Sequence, residues 1–261
     1  MTNPNPSERT ILITNDDGIA SAGLRELATA LATVGKLAII APEHNWSASG
    51  HSKTMHKPLR VTPAHLSDGR PALAASGSPS DCVALALLGL LEERPALVVS
   101  GINQGANVGH DLTYSGTVSA AMEAVIAGIP AIAVSLDSFE SQVYEAAAAF
   151  AARLATRLLS EPAERPLLLN VNVPALPADE IKGVQVTRLG QRLYRDELVH
   201  RSDPRGRSYY WIGGDPPEGV PEEGTDIGAL SLGYISVTPV ALDLTDKAGL
   251  ETLRQWDLSH R

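Results

Sequence analysis

Four short runs of aliphatic and β-branched residues constrain the fold of this chain more than any other feature. They are Thr10-Ile11-Leu12-Ile13-Thr14, Leu37-Ala38-Ile39-Ile40-Ala41, Ala96-Leu97-Val98-Val99-Ser100 and Ala131-Ile132-Ala133-Val134-Ser135. None alternates apolar with polar, so a strand built from any of them must be covered on both faces, as in a parallel sheet between helices. Helical patterns stand between the runs. Leu24, Leu27, Leu31 and Val34 recur at helical spacing, with Gly35 where a left-handed C-terminal cap is wanted. Ser78-Pro79-Ser80-Asp81 combines an N-cap serine, a first-turn proline and a dipole-favoured acid, opening a helix to about Leu91. Ser115-Gly116-Thr117 starts another from Val118 to Ala127, closed by Gly128 and Pro130, and an Ala-rich helix spans Ser141 to Leu159 before the strand Leu167 to Val173. The expected class is α/β, a doubly wound, mostly parallel sheet with helices on both faces.

From Ile181 on the texture changes. Val184 to Thr187 and Arg207 to Ile212 read as half-exposed antiparallel strands, separated by the polar Arg192 to Gly206 and followed by an acidic loop, Asp215 to Gly224. Tyr234 to Thr238 is a returning strand and Asp246 to Trp256 a short closing helix. Residues 1–180 are therefore expected to form the core and 181–261 an extension carrying hairpins.

At 261 residues, 44% hydrophobic and 20% charged, the chain can bury a full core. A net charge of -9 gives no field that recruits a nucleic-acid duplex, so any phosphate must be met locally, by a metal or by oriented N–H groups. The single cysteine, Cys82, lies in an apolar stretch and fits a reducing compartment. Thr2 to Arg9 reads as a frayed polar tail without the apolar centre of a signal peptide. The longest apolar run, Leu85 to Leu91, is far too short to cross a bilayer. A soluble, cytoplasmic protein is the expectation, with no membrane partner.

In an open parallel sheet, ligands sit outside the carboxyl ends of the strands. Three such ends are polar here: Asp16 and Asp17 after the first run, a long loop with Ser47, Ser49 and His51 after the second, Asn103 and Asn107 among glycines after the third. Adjacent carboxylates repel unless a cation or strong donors intervene, and hard oxygen donors suit Mg²⁺, Mn²⁺ or Ca²⁺. Taken singly each feature has a plainer reading. Asp-Asp-Gly is a common turn, a glycine-rich stretch is commonly a loop, and a lone loop histidine is commonly no catalyst. Their joint appearance at three strand ends favours a site. Ser115-Gly116-Thr117 adds a helix start able to bind an anion, or simply a serine cap, and Gly77-Ser78-Pro79 offers a second. Neither a dinucleotide-binding nor a P-loop glycine pattern occurs. His44, His56, His65, His110 and His200 show no zinc-ligand spacing.

Four blocks of the sequence resemble the SurE (survival protein E) family of 5′(3′)-nucleotidases. They are Ile13-Thr14-Asn15-Asp16-Asp17-Gly18, Ala41-Pro42 through Ser47-Ala48-Ser49-Gly50-His51-Ser52, Ser76 through Cys82, and Ser100 through Gly109 running on to Tyr114-Ser115-Gly116-Thr117-Val118. Asn170 to Pro174 and Tyr234 to Pro239 extend the likeness. The resemblance implies a Rossmann-like core, one divalent cation (Mg²⁺ or Mn²⁺, with Ca²⁺ as another fit) on Asp16, Asp17, Ser47 and Asn103, and a catalytic group of Asn15, Asp16 and Asp17. It further implies phosphate binding by Ser49, Gly50, His51, Asn107, Ser115, Gly116 and Thr117. A nucleoside monophosphate is the implied substrate, and the C-terminal extension is implied to join homodimers or homotetramers. Trp46 stands where the family commonly has arginine, and Ser76 and Ser78 where threonines are usual. A broader acid phosphatase or exopolyphosphatase, and a catalytically silent nucleotide-binding module, are the rival expectations.

Overall fold

The computed structural model describes residues 6–161, 163–256 and 258. Residues 2–5 of the expected tail lie outside them. Among the described residues nine strands form one sheet, in the order β3 (Val61–His65), β4 (Pro71–Ala75), β2 (Lys36–Pro42), β1 (Thr10–Thr14), β5 (Leu97–Gln104), β6 (Ala131–Asp137), β7 (Leu168–Pro174), β11 (Ile235–Val240), β8 (Val184–Val186). Its central strands, β1, β2, β5, β6 and β7, are all parallel. Side chains alternate between faces. Ile11, Ile13, Val99 and Val134 enter one core with α1 (Ala22–Leu31) and α4 (Glu145–Ser160), while Leu12, Val98 and Ala133 enter a second with α2 (Pro79–Leu85) and α3 (Gly116–Ile126). These strands are thus covered on both faces and mainly apolar, with the buried Asn170 and Asn172 together on one face of β7, and the doubly wound α/β class is borne out.

Local chemistry sets the helix ends. The Ser21 hydroxyl accepts from Leu24 N at 3.2 Å, and Leu24, Leu27 and Leu31 form the buried stripe of α1. Gly35 is not a left-handed cap: a Cβ there would come within 2.6 Å of Arg9 O, so the glycine permits close approach to the start of β1. Gly128 does take the left-handed conformation (φ +82°) just after α3, as its position after the helical pattern predicts. The helix expected to run from Ser78 to Leu91 ends earlier. Past α2 the chain widens into a π-turn, Ala86–Leu90, broken at Gly89 with φ +117°.

Residues after Ile181 do not stand wholly apart. β11 (Ile235–Val240) lies antiparallel to β7 and parallel to β8 (Val184–Val186), so the return strand completes the main sheet. The stretch Arg192 to Gly206, expected as a polar separator, holds the strand β9 (Arg192–Ser202). It pairs with β10 (Ser208–Gly219), which runs well into the expected acidic loop, as a separate exposed hairpin. At the opposite edge β3 (Val61–His65) and β4 (Pro71–Ala75) form a hairpin that the side-chain pattern does not announce. Two short helices, α5 (Asp226–Ser231) and α6 (Lys247–Arg254), flank the return strand. Among the described residues no helix is long and apolar enough to cross a membrane.

Candidate active site

The chain order reverses between β1 and β5: β2 and β4 lie on one side of β1, while β5, β6 and β7 lie on the other. A crevice opens at such a switch point because the two connections leave the strand ends in opposite directions. Asp16 and Asp17 follow β1, and Asn103 lies near the end of β5. The ladder between β5 and β6 shifts register between Ser100 and Asn103, beside Gly101, whose Cβ would come within 2.4 Å of Val134 O.

Hydrogen bonds draw three segments together here. Trp46 N donates to Asp16 O at 2.7 Å, which brings the loop after β2, and Ser47 with it, against the end of β1. Asn45 supports both neighbours: its Oδ1 accepts from Ser47 N at 2.7 Å and its Nδ2 donates to Asp17 Oδ1 at 3.3 Å. Gln104 N donates to Asp17 Oδ2 at 3.3 Å. Asn103 Nδ2 donates to Gly105 O at 2.7 Å, leaving Oδ1, the atom a hard cation would use, without a protein donor among the described residues.

Burial sets the electrostatics. Asp16 is 3% exposed, and its desolvation raises its pKa against the hydrogen bonds it accepts from the Thr117 hydroxyl and the Gly116 and Thr117 amides. Burial, with the adjacent Asp16 charge, pushes Asp17 up to about 6 against the opposing Gln104 N–H. Among the described residues neither carboxylate is paired with Lys, Arg or His. Two desolvated carboxylates with no cationic partner, beside a free amide oxygen and a hydroxyl, fit a hard divalent cation. Among the described residues no three His, Cys, Asp or Glu side chains gather as a metal cluster, so a cation here would need oxygen donors beyond the two carboxylates, and Ser47 and Asn103 are the neutral ones the sequence reading named.

A cleft of about 250 Å³ joins Asp16, Ser47, Asn103, Asn107 and Ser115 to the aromatic residues Tyr114, Phe139 and Tyr194. Other expected site residues sit around it in supporting positions. Asn15, fully buried, is tied to Gly18 and Ser21 and shapes the turn after β1. Gly116 and Thr117 face Asp16, so the amides of this helix start hold a protein carboxylate. Gly50 N is bonded to Tyr114 O at 3.0 Å. The His51 ring lies 3.2 Å from Glu123 on α3, outside the cleft lining, and the Ser49 hydroxyl is buried without a partner among the described residues.

Sequence reasoning missed the supports. Asn107 N donates to Asn172 Oδ1 at 2.8 Å, and Asn107 O accepts from Asn170 and Asn172 at 2.8 and 3.0 Å. The signal was available, for two amides at i and i+2 of an otherwise apolar strand lie on one face and need partners. Asp226, fully buried, accepts from Gly109 N at 2.8 Å and Gly190 N at 2.7 Å, and Arg192 pairs with Asp111, so the base of the β9–β10 hairpin is fastened to the cleft loop. Nothing in the sequence around Asp226 distinguishes it from an ordinary helix-start acid.

Fold and site together define an α/β protein with an acidic, oxygen-lined cleft at the switch point of a mostly parallel sheet. The family model described as survival protein SurE matches residues 11–196, and the chain belongs to that family. A 5′-nucleotidase SurE of Chloroflexus aggregans is 54% identical over 95% of this chain and 98% of its own length. The 5′-nucleotidase SurE of Geobacter sulfurreducens is 52% identical, covering 95% of this chain and 94% of its own. The crystal structure of the SurE protein from Aquifex aeolicus superposes with a TM-score of 0.80 at 40% identity, over 94% of this chain and 98% of that one.

Proposed function

We propose that this chain hydrolyses nucleoside 5′-monophosphates, and 3′-monophosphates, to nucleoside and phosphate with the help of one divalent cation. The chain is a 5′-nucleotidase of its family, a reading supported by relatives of that name at about half identity over nearly the full chain. The single observation that carries the chemistry is the adjacent, desolvated pair Asp16 and Asp17, without a cationic partner among the described residues, of which Asp16 lines the cleft together with Ser47 and Asn103.

Asp16, Asp17, Ser47 and Asn103 would hold Mg²⁺ or Mn²⁺, which when bound supplies Lewis-acid charge for the phosphoryl oxygens and acidifies the attacking water. The chain's own groups do the rest. Thr117 and the α3 amides fix Asp16, which keeps its carboxylate in one orientation. Ser115 and Asn107, both lining the cleft, would meet the equatorial oxygens of a phosphate. Asn107 is held for this by Asn170 and Asn172. Gly50 and His51 stiffen the loop that presents Ser47 and Ser49. The exposed β9–β10 hairpin, with Leu198, Tyr210, Trp211 and Ile212 on its surface, is the element through which a homodimer or homotetramer would form. A cytoplasmic setting belongs to the same reading.

Phosphate release from a panel of nucleoside 5′- and 3′-monophosphates tests it, with chelator and then with Mn²⁺ or Mg²⁺ restored. Metal-dependent release that is lost in Asp16→Asn is expected. Binding without turnover under either metal would leave a nucleotide-binding module as the better account.

A further inference from the structure

The cleft has two chemically different kinds of lining. Asp16, Ser47, Asn103 and Ser115 supply polar groups, and Tyr114, Phe139 and Tyr194 bring aromatic rings to the same cleft. The three rings are 64%, 79% and 47% exposed, and among the described residues none makes a ring–ring contact with another. Large aromatic surfaces left in water at the rim of a polar site, rather than scattered singly, mark a place where a flat apolar group is received.

Two of the rings are held in place by backbone geometry. Phe139 O accepts from Gln104 Nε2 at 2.6 Å, and the ring lies over Gly105, where a Cβ would come within 2.4 Å of Cε1. Gly105 also has φ +108°, so no side chain is easily admitted between Asn103 and the ring. Tyr194 reaches the cleft from β9, two residues beyond Arg192, whose pairing with Asp111 fastens that strand to the loop before α3. The exposed hairpin therefore supplies a wall of the site.

Building on the nucleotidase reading, we propose that Phe139 and Tyr194, with Tyr114 beside them, receive the face of the substrate's nucleobase while its phosphate lies at the polar groups around Asp16. Stacking uses the π-face that every base has and reads no hydrogen-bonding edge. The rim thus selects nucleotides over base-free phosphate esters and discriminates little among bases.

The test compares kcat/KM for adenosine 5′-monophosphate and for ribose 5-phosphate, which keeps the sugar and phosphate but lacks the ring. Wild-type protein, Phe139→Ala, Tyr194→Ala and the conservative Phe139→Tyr are measured with metal supplied. Wild type should prefer the nucleotide, and each alanine variant should lower the ratio by about 5-fold or more, as loss of one stacked face does, with Phe139→Tyr restoring most of it. Both positions are exposed enough for the variants to fold, which matched melting temperatures will verify. A wild type without preference for the nucleotide, or variants with an unchanged ratio, would overturn the stacking assignment alone. A wild type that releases no phosphate from any nucleotide overturns the nucleotidase reading, and the stacking assignment with it.

Discussion

The Thr117 hydroxyl donates to Oδ1 of Asp16 across 101 positions of sequence, joining the first turn of α3 to the end of β1. The carboxylate beneath it is almost fully buried, so this bond fixes its orientation as well as satisfying it. Replacing Thr117 with valine keeps the shape and removes the donor. Metal affinity should fall by about 10- to 100-fold, the usual effect of losing a partner of a ligating group, while the protein stays folded. Isothermal titration with Mn²⁺ measures this directly, and unchanged affinity would show that Asp16 needs no support from α3.

The residue before Thr117 has a steric role. A Cβ on Gly116 would lie 2.7 Å from Asp16 Cβ and 2.9 Å from its Oδ2. Asp16 and Gly116 are both buried and the nearest atom is the Asp16 Cβ, so relief requires the strand end and the helix start to move apart. Gly116→Ala should therefore cost about 1 to 3 kcal/mol in stability and depress metal-dependent turnover more than Thr117→Val does. Urea denaturation and phosphate release on the same preparation separate the two effects. A variant that unfolds normally and turns over at the wild-type rate would contradict the close approach.

Much of this arrangement is legible from the sequence because the central strands are buried on both faces, and such strands are mainly apolar along their length. Strand ends then announce themselves by the polar residues that follow, which brings forward Asp16 and Asp17, the loop with Ser47, Ser49 and His51, and Asn103 and Asn107. The resemblance to the SurE family is what narrows these to Asp16, Asp17, Ser47 and Asn103. The same logic fails at the sheet edges and in the hairpin. β3 carries Pro63 and is mostly exposed, which an edge strand tolerates, and β9 reads Arg-Leu-Tyr-Arg-Asp-Glu-Leu-Val-His-Arg-Ser with little burial on either face. Strands held chiefly by backbone pairing leave little mark on side-chain pattern. The supports act on backbone N–H or C=O groups distant in sequence, which carry no residue-type signal: Asn170 and Asn172 mark themselves as amides needing partners without showing which, and Asp226 is not marked at all.

The elevated Asp17 value predicts how metal and pH interact. A carboxyl whose folded pKa is raised, here from 3.8 to about 6, favours the folded state fully below the unfolded value and loses that contribution as pH rises through the folded one. Metal-free protein should thus lose stability from this group between about pH 4 and about pH 6, where two unneutralised carboxylates come to share the site. A bound cation compensates for that charge. The rise in melting temperature on adding saturating Mn²⁺ should therefore be larger at about pH 7.5 than at about pH 5, and Asp17→Asn should flatten the difference. A metal-induced shift of equal size at both values would remove Asp17 from the ligand set.

Asp81 titrates with the opposite sign. Burial alone would raise its carboxyl, but hydrogen bonds from Thr54 N and Oγ1 and from the Ser78 N–H outweigh that and hold it below the ordinary 3.8. The Ser78 N–H and the reciprocal bond from Asp81 N to the Ser78 hydroxyl close a capping box at the start of α2, while Thr54 belongs to the end of the loop that carries Ser47. A depressed pKa contributes stability that is present above the unfolded value and is lost as pH falls through the folded one. Asp81→Asn should accordingly destabilise the protein by about 1 to 3 kcal/mol at neutral pH, as expected for losing bonds to a charged acceptor. The gap from wild type should close as the solution is acidified below the ordinary carboxylate range. Urea melts across that range decide the matter: a constant gap at all pH values would mean that the asparagine disturbs packing and that the charge on Asp81 contributes nothing.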